Sequence, residues 1–160
     1  MHKILLVAIL AAVFFGLYAI QLDQEAAVQT LFELKRAVNR AAHAAAQQVD
    51  IQQLSRGVIS FDEPSARSAA MQYLQHNLRL DERLNASDRS SIRGRLDIRV
   101  FELIDSTYSF PYDYSNEAYD YSVTLERPGV IMIVHAEYNR MFKALEPIDW
   151  YIKGAAEIVR

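Results

Sequence analysis

The first forty-nine residues read as one unbroken helix whose first half suits lipid and whose second half suits water and protein. Residues 4–22 carry no charge and run Ile-Leu-Leu-Val-Ala-Ile-Leu-Ala-Ala-Val-Phe-Phe-Gly-Leu-Tyr-Ala-Ile-Gln-Leu. From Asp23 to about Val49 the chain turns amphipathic and Ala-rich, with neither Pro nor Gly. An apolar span continued by a protruding helix implies a chain held at a membrane or packed in an assembly, and argues against a free soluble enzyme.

At about 1.5 Å per residue, nineteen uncharged residues reach roughly 28 Å, close to the thickness of a hydrocarbon core. A secretory signal usually has a shorter apolar region that ends at a small-x-small site. The best such site here ends at Ala19, with Leu17 in the place of a small residue, and the helical pattern continues across it. These features favour a retained anchor over a cleaved signal. His2 and Lys3 precede the span and every carboxylate follows it, which places the amino terminus in the cytoplasm and the bulk of the chain outside.

With the anchor and its extension set aside, about 110 of the 160 residues remain, enough for one modest core. The expected organisation is an anchor over 1–22, an amphipathic extension over 23–50 and an extracytoplasmic head over 51–160. The net charge of -3 gives no strong attraction to nucleic acid, and the absence of cysteine excludes disulfides and thiolate metal sites.

In the extension, Ala27, Leu31, Leu34, Val38, Ala41, Ala45 and Val49 recur at steps of three or four, a narrow seam of the bundle type. Ala37, Ala41, Ala42, Ala44, Ala45 and Ala46 keep the second half thin, which lets another helix approach closely. The stripe reads as cover for the sheet of its own head, while the Ala-rich face is expected to meet neighbouring subunits. His43 reads as a surface or packing residue.

The head reads as α+β. Residues 51–56 form a connector and 57–61 a short strand. Asp62 or Glu63 caps a helix with Pro64 in its first turn, and Ala66, Ala69, Ala70, Tyr73, Leu74 and Leu78 form its apolar face. Asn77, or the polar run 85–88, closes it; Asn85-Ala86-Ser87 is also a glycosylation tripeptide that a loop fully explains. Leu96, Ile98 and Val100 alternate with charged residues, then Phe101 and Leu103 switch parity, which predicts a bulge near Val100. Tyr119 to Leu125 alternates again, Arg127-Pro128-Gly129 signals a tight turn, and the β-branched run 130–138 predicts a central strand. Residues 150–159 supply a last strand. Short turns favour an antiparallel sheet, with the long amino-terminal helix across one face.

Motifs for chemistry are scarce. There is no Gly-rich phosphate loop and no nucleophile elbow. His135-Ala136-Glu137 has the form of half a zinc-deaminase signature without its Cys pair, and a solvated cross-strand pair explains it better. No catalytic residues, metal ligands or cofactors are assigned, and the chain reads as a non-enzyme. The most unusual surface stretch is 108–121, with Tyr108, Phe110, Tyr112, Tyr114, Tyr119 and Tyr121. Tyrosine gives large amphipathic contact area at low entropic cost, so these six residues form a candidate surface contact loop. The alternative is a long hairpin connection whose tyrosines pack on the sheet edge. A third reading is a weak calcium site at Asp113, Glu117 and Asp120, although their spacing matches no EF-hand loop.

The hydrophobic amino-terminal helix, the Ala-rich extension (Glu25-Ala-Ala-Val and Asn39-Arg-Ala-Ala-His-Ala-Ala-Ala-Gln) and the small β domain resemble type IV pilin-like proteins, and most closely TadE-like pseudopilins. The carboxyl-terminal Gly154-Ala-Ala-Glu-Ile-Val is similar too. The prepilin cleavage pattern is not matched, because Gly16 lies inside the apolar run and the fifth residue after it is Gln21. The resemblance implies a structural subunit or minor pseudopilin of an extracellular filament. Its partners would be copies of itself, other pilin-like subunits and the membrane, with no nucleic acid. Its assembly helix would carry Leu5, Leu6, Ile9, Val13, Phe14, Leu17, Ile20, Leu31, Leu34, Val38, Ala41 and Ala45. The alternative is a single-pass anchored binding module that uses the Tyr-rich stretch.

Overall fold

The computed structural model describes residues 2–138, 140 and 146–159. The chain is α+β, with one long apolar amino-terminal helix, a small antiparallel sheet and further helices. Helix α1 runs His2–Ala46 without a break and stops short of the expected end near Val49, which makes an isolated bridge to Phe61 instead. It is followed by a four-residue helix α2 (Ile51–Leu54), capped by the Asp50 carboxylate on the amides of Gln52 and Gln53, and by α3 (Glu63–Leu78).

Five strands complete the fold: β1 (Arg93–Ile104), β2 (Tyr112–Asn116), β3 (Tyr121–Leu125), β4 (Gly129–Tyr138) and β5 (Ile148–Glu157). The main sheet has the order β1-β4-β5, with β4 antiparallel to both neighbours. β4 is therefore central, and its residues 129–134 are all buried, as the continuous β-branched run predicts. β2 and β3 form a separate hairpin joined by a 3-10 turn at Glu117–Tyr119.

Three layers result. α1 and α3 cover one face of the sheet, where Leu34, Val38, Ala41, Ala45, Ala66, Ala70, Leu74, Leu96, Val130, Met132, Val134, Ala136 and Ile152 make the main core. The β2–β3 hairpin covers the other face, with a smaller core of Ile104, Tyr114, Leu125 and Ile131. The predicted bulge is present: Ile98 opposes Val134 and Val100 opposes Ile133, so Arg99 is the extra residue. That one insertion returns Phe101 and Leu103 to the same core as Leu96 and Ile98.

Residues 57–61 are not a strand: Phe61 makes one isolated bridge to Val49, and Val58 is exposed. The connector 51–56 contains a helical turn because Asp50 caps it. In α3, Ala66, Ala70, Leu74 and Leu78 are buried, but Tyr73 is exposed. Asp62 is the N-cap residue, though its carboxylate takes the Ser65 hydroxyl and not a backbone amide. Arg79, in the left-handed conformation at φ 54°, closes the helix, in place of Asn77 or the polar run 85–88. The last strand starts two residues earlier than predicted, at Ile148.

Candidate functional site

The apolar span and the way the head grips its end form the most distinctive site. Ile4, Leu5, Leu6, Ile9, Val13, Phe14, Leu17 and Ile20 are all more than two-fifths exposed. No residue of the most apolar eighteen-residue stretch of α1 is buried, and the helix is long and apolar enough to cross a membrane. Left bare in water, a contiguous apolar surface of this kind is costly, so lipid or protein must cover it.

Contact with the head begins one residue beyond the span. Asp23 is completely buried, and its Oδ2 accepts a hydrogen bond from Arg140 Nε at 2.7 Å. Arg140 follows the end of β4, where Tyr138 stacks on Trp150 with ring centres 5.4 Å apart. Burial raises the Tyr138 phenol above its ordinary pKa, and the Asp23 charge adds to this while Arg140 opposes it.

At the other end of the contact, Gly154 of β5 lies so close to α1 that a Cβ there would sit 3.0 Å from Val38 Cγ1 and Asn39 Oδ1. From Asp23 to Val38 the helix rises about 22 Å. From Ile148, opposite Tyr138, to Gly154 the strand advances about 20 Å. The two lengths agree, so β5 runs alongside α1 in the same direction. The end of the β4–β5 hairpin is then level with the end of the uncharged run. No flexible linker separates head from span.

The later part of the expected assembly helix has a different fate from the first. Leu34, Val38, Ala41 and Ala45 are wholly buried, and Leu31 is half-buried against the same core. Ala37, Ala42, Ala44 and Ala46 are buried too. The small side chains let α3 and β5 approach α1 within the chain, so the expectation that the Ala-rich face is open to neighbouring subunits does not hold. His43 is exposed, as expected.

The tyrosine-rich stretch is also mostly internal. Tyr114 is 6% exposed and donates its phenol hydrogen to Glu102, while Phe110, Tyr112 and Tyr121 pack against the small core. Tyr112 stacks edge-on with Tyr108, which alone of the five tyrosines is strongly exposed at 43%. Tyr119 is half-buried against Tyr151 of β5. The hairpin reading therefore replaces the contact-loop reading: residues 112–125 form a β-hairpin laid on the sheet. Alternation in Tyr112-Asp-Tyr-Ser-Asn was the signal for β2.

His135 Nε2 lies 2.9 Å from Asp149 Oδ1, and its ring stands 4.9 Å from Tyr151. Asp149 on β5 is a diagonal neighbour of His135, since Tyr151 stands directly opposite His135 and Asp149 opposite Glu137. Asp113 accepts a hydrogen bond from Thr124 on the neighbouring strand. Among the described residues, no group of three His, Cys, Asp or Glu side chains is placed to hold a metal ion.

The fold and site define a small head carried on a long helix whose first half is bare and apolar. No protein-family model, no curated protein and no solved structure matches this chain.

Proposed function

We propose that the chain is a membrane-anchored structural subunit, or minor pseudopilin, of a pilus-like filament that forms through the amino-terminal helix. One observation carries this reading: the apolar surface of residues 4–22 is bare, while the same unbroken helix becomes the spine of the head core. Such a helix anchors the subunit in lipid before assembly. In a filament it exchanges lipid for neighbouring helices, with the head held outside and the amino terminus at the cytoplasmic side. Leu5, Leu6, Ile9, Val13, Phe14, Leu17 and Ile20 are the side chains that make this exchange. The mechanism asks for no catalysis and no cofactor, and force for growth comes from another protein.

A single-pass binding module is the competing reading. It relied on an open tyrosine-rich surface, and the packing of Tyr112, Tyr114 and Tyr121 on the sheet leaves it little of that surface.

Electron microscopy of sheared surface fractions tests the proposal. Filaments that contain the chain and vanish on its deletion are the expected result. A protein that stays monomeric in detergent, with no filament depending on it, would refute the reading. Mass spectrometry of the native amino terminus then separates an intact Met1 from processing near Gly16 or Ala19.

A further inference from the structure

β5 is an edge strand with one open side. Its ladder is with β4 alone, and among the described residues its outer edge has no backbone partner. Ten residues of unpaired edge are a template for another strand.

A groove of about 370 Å³ runs along this edge. Its lining identifies where it lies. Ile152 belongs to the face of the sheet under α1, and its neighbours Tyr151 and Lys153 belong to the opposite face. Only at the edge of a strand do consecutive residues line one groove, because their side chains alternate between faces. Leu31, Phe32 and Lys35 of α1 form one wall and Tyr121 of β3 forms the other. Phe32 and Tyr151 are 58% and 45% exposed, so apolar surface is ready at both sides.

The charge of the rim is one-sided. Lys35 and Lys153 both stand on the groove, and among the described residues neither forms an ion pair. Lys153 Nζ is held over the edge by the Asp120 carbonyl at 3.3 Å. Two uncompensated cations beside an open strand edge, in a chain of net charge -3, select an anionic partner.

We propose that the free edge of β5 binds an extended acidic peptide strand of a partner protein, which adds to the sheet between α1 and β3. Its backbone pairs with β5, an apolar side chain enters the groove beside Phe32 and Tyr151, and flanking carboxylates meet Lys35 and Lys153. The inference does not depend on filament formation, since an anchored monomer presents the same edge.

The test uses the full chain in detergent micelles and a synthetic peptide of alternating Glu and Val with one central Phe. Binding is expected together with slowed hydrogen exchange of β5 amides. The variants Lys35→Glu and Lys153→Glu together should weaken binding about tenfold. Lys35→Glu alone, on an exposed helical position, should weaken it by a smaller factor with the fold intact. A peptide N-methylated on alternate amides should not bind. Absence of binding, equal binding of the N-methylated peptide or of a Lys-for-Glu version, or unchanged exchange in β5 would each overturn the proposal. Concentration-dependent protection of β5 without peptide would overturn it in favour of pairing between copies of this chain.

Discussion

Asp23 and Arg140 are 117 residues apart in sequence and 2.7 Å apart in space. Asp23 is the first charged residue after the apolar run and has no exposed surface, while the Arg140 side chain keeps 19% of its own. The pair fastens the β4–β5 hairpin to the helix where the helix leaves the apolar zone. Removal of Asp23 takes this carboxylate from an Arg140 side chain that keeps only 19% of its surface. Asp23→Asn should therefore cost about 3 kcal/mol, whereas joint replacement of Asp23 and Arg140 by Leu and Met should recover part of it. Thermal unfolding of the full chain in detergent measures both.

Close packing of α1 sets a second expectation. Ala41 and Ala45 have no exposed surface. Leu at either position overfills the main core and should destabilise the head by about 1–3 kcal/mol. The assembly defect of such a variant would then report on folding, so denaturant unfolding of the head must accompany it. At Gly129 a Cβ would collide with the Ala156 carbonyl, and at Gly154 it would press on side-chain atoms only. Gly129→Ala should accordingly be the more damaging of the two.

The hairpin on the far face gives a contrast between neighbours. Tyr114→Ala empties a site in the small core and should cost about 3 kcal/mol or more, by analogy with large-to-small changes at buried aromatics. Tyr108→Ala, at an exposed position, should change stability by no more than about 0.5 kcal/mol. Equal effects in equilibrium unfolding would contradict the assignment of Tyr114 to a core.

Periodicity made most of this architecture legible. The uncharged run and the Ala seam mark α1, the parity switch after Val100 marks the bulge, and the β-branched run marks β4 as central. Local patterns misread the short apolar segment 57–61, because an isolated bridge and a strand share the same residues. They also left the Ala face open, since a small-residue stripe looks alike whether α3 of the same chain or another copy lies against it. Asp23–Arg140 was invisible, because only the tertiary fold joins residues so far apart. The groove at β5 was hidden for the same reason: it takes one wall from α1 and one from β3.

Alkaline pH provides a further check. Burial holds the Tyr114, Tyr121 and Tyr138 phenols above the ordinary value of 10.0. Above pH 10 the unfolded chain loses these protons before the folded one, so the folded state binds more protons and stability falls as pH rises. The contribution is complete below pH 10 and disappears as pH passes through the raised values. Tyr138→Phe should flatten that fall, as read from unfolding midpoints across pH 9–12, and an unaltered slope would count against the burial of Tyr138.

The central claim is that residues 4–22 serve as anchor and assembly core together, and the absence of native cysteine allows a clean test. Single cysteines placed in turn at Leu6, Val13, Phe14 and Leu17 would be oxidised in intact membranes and in sheared surface material. Cross-linked dimers at a subset of these positions, enriched in the surface material, are the predicted result. Monomers alone at every position in both fractions would contradict the account.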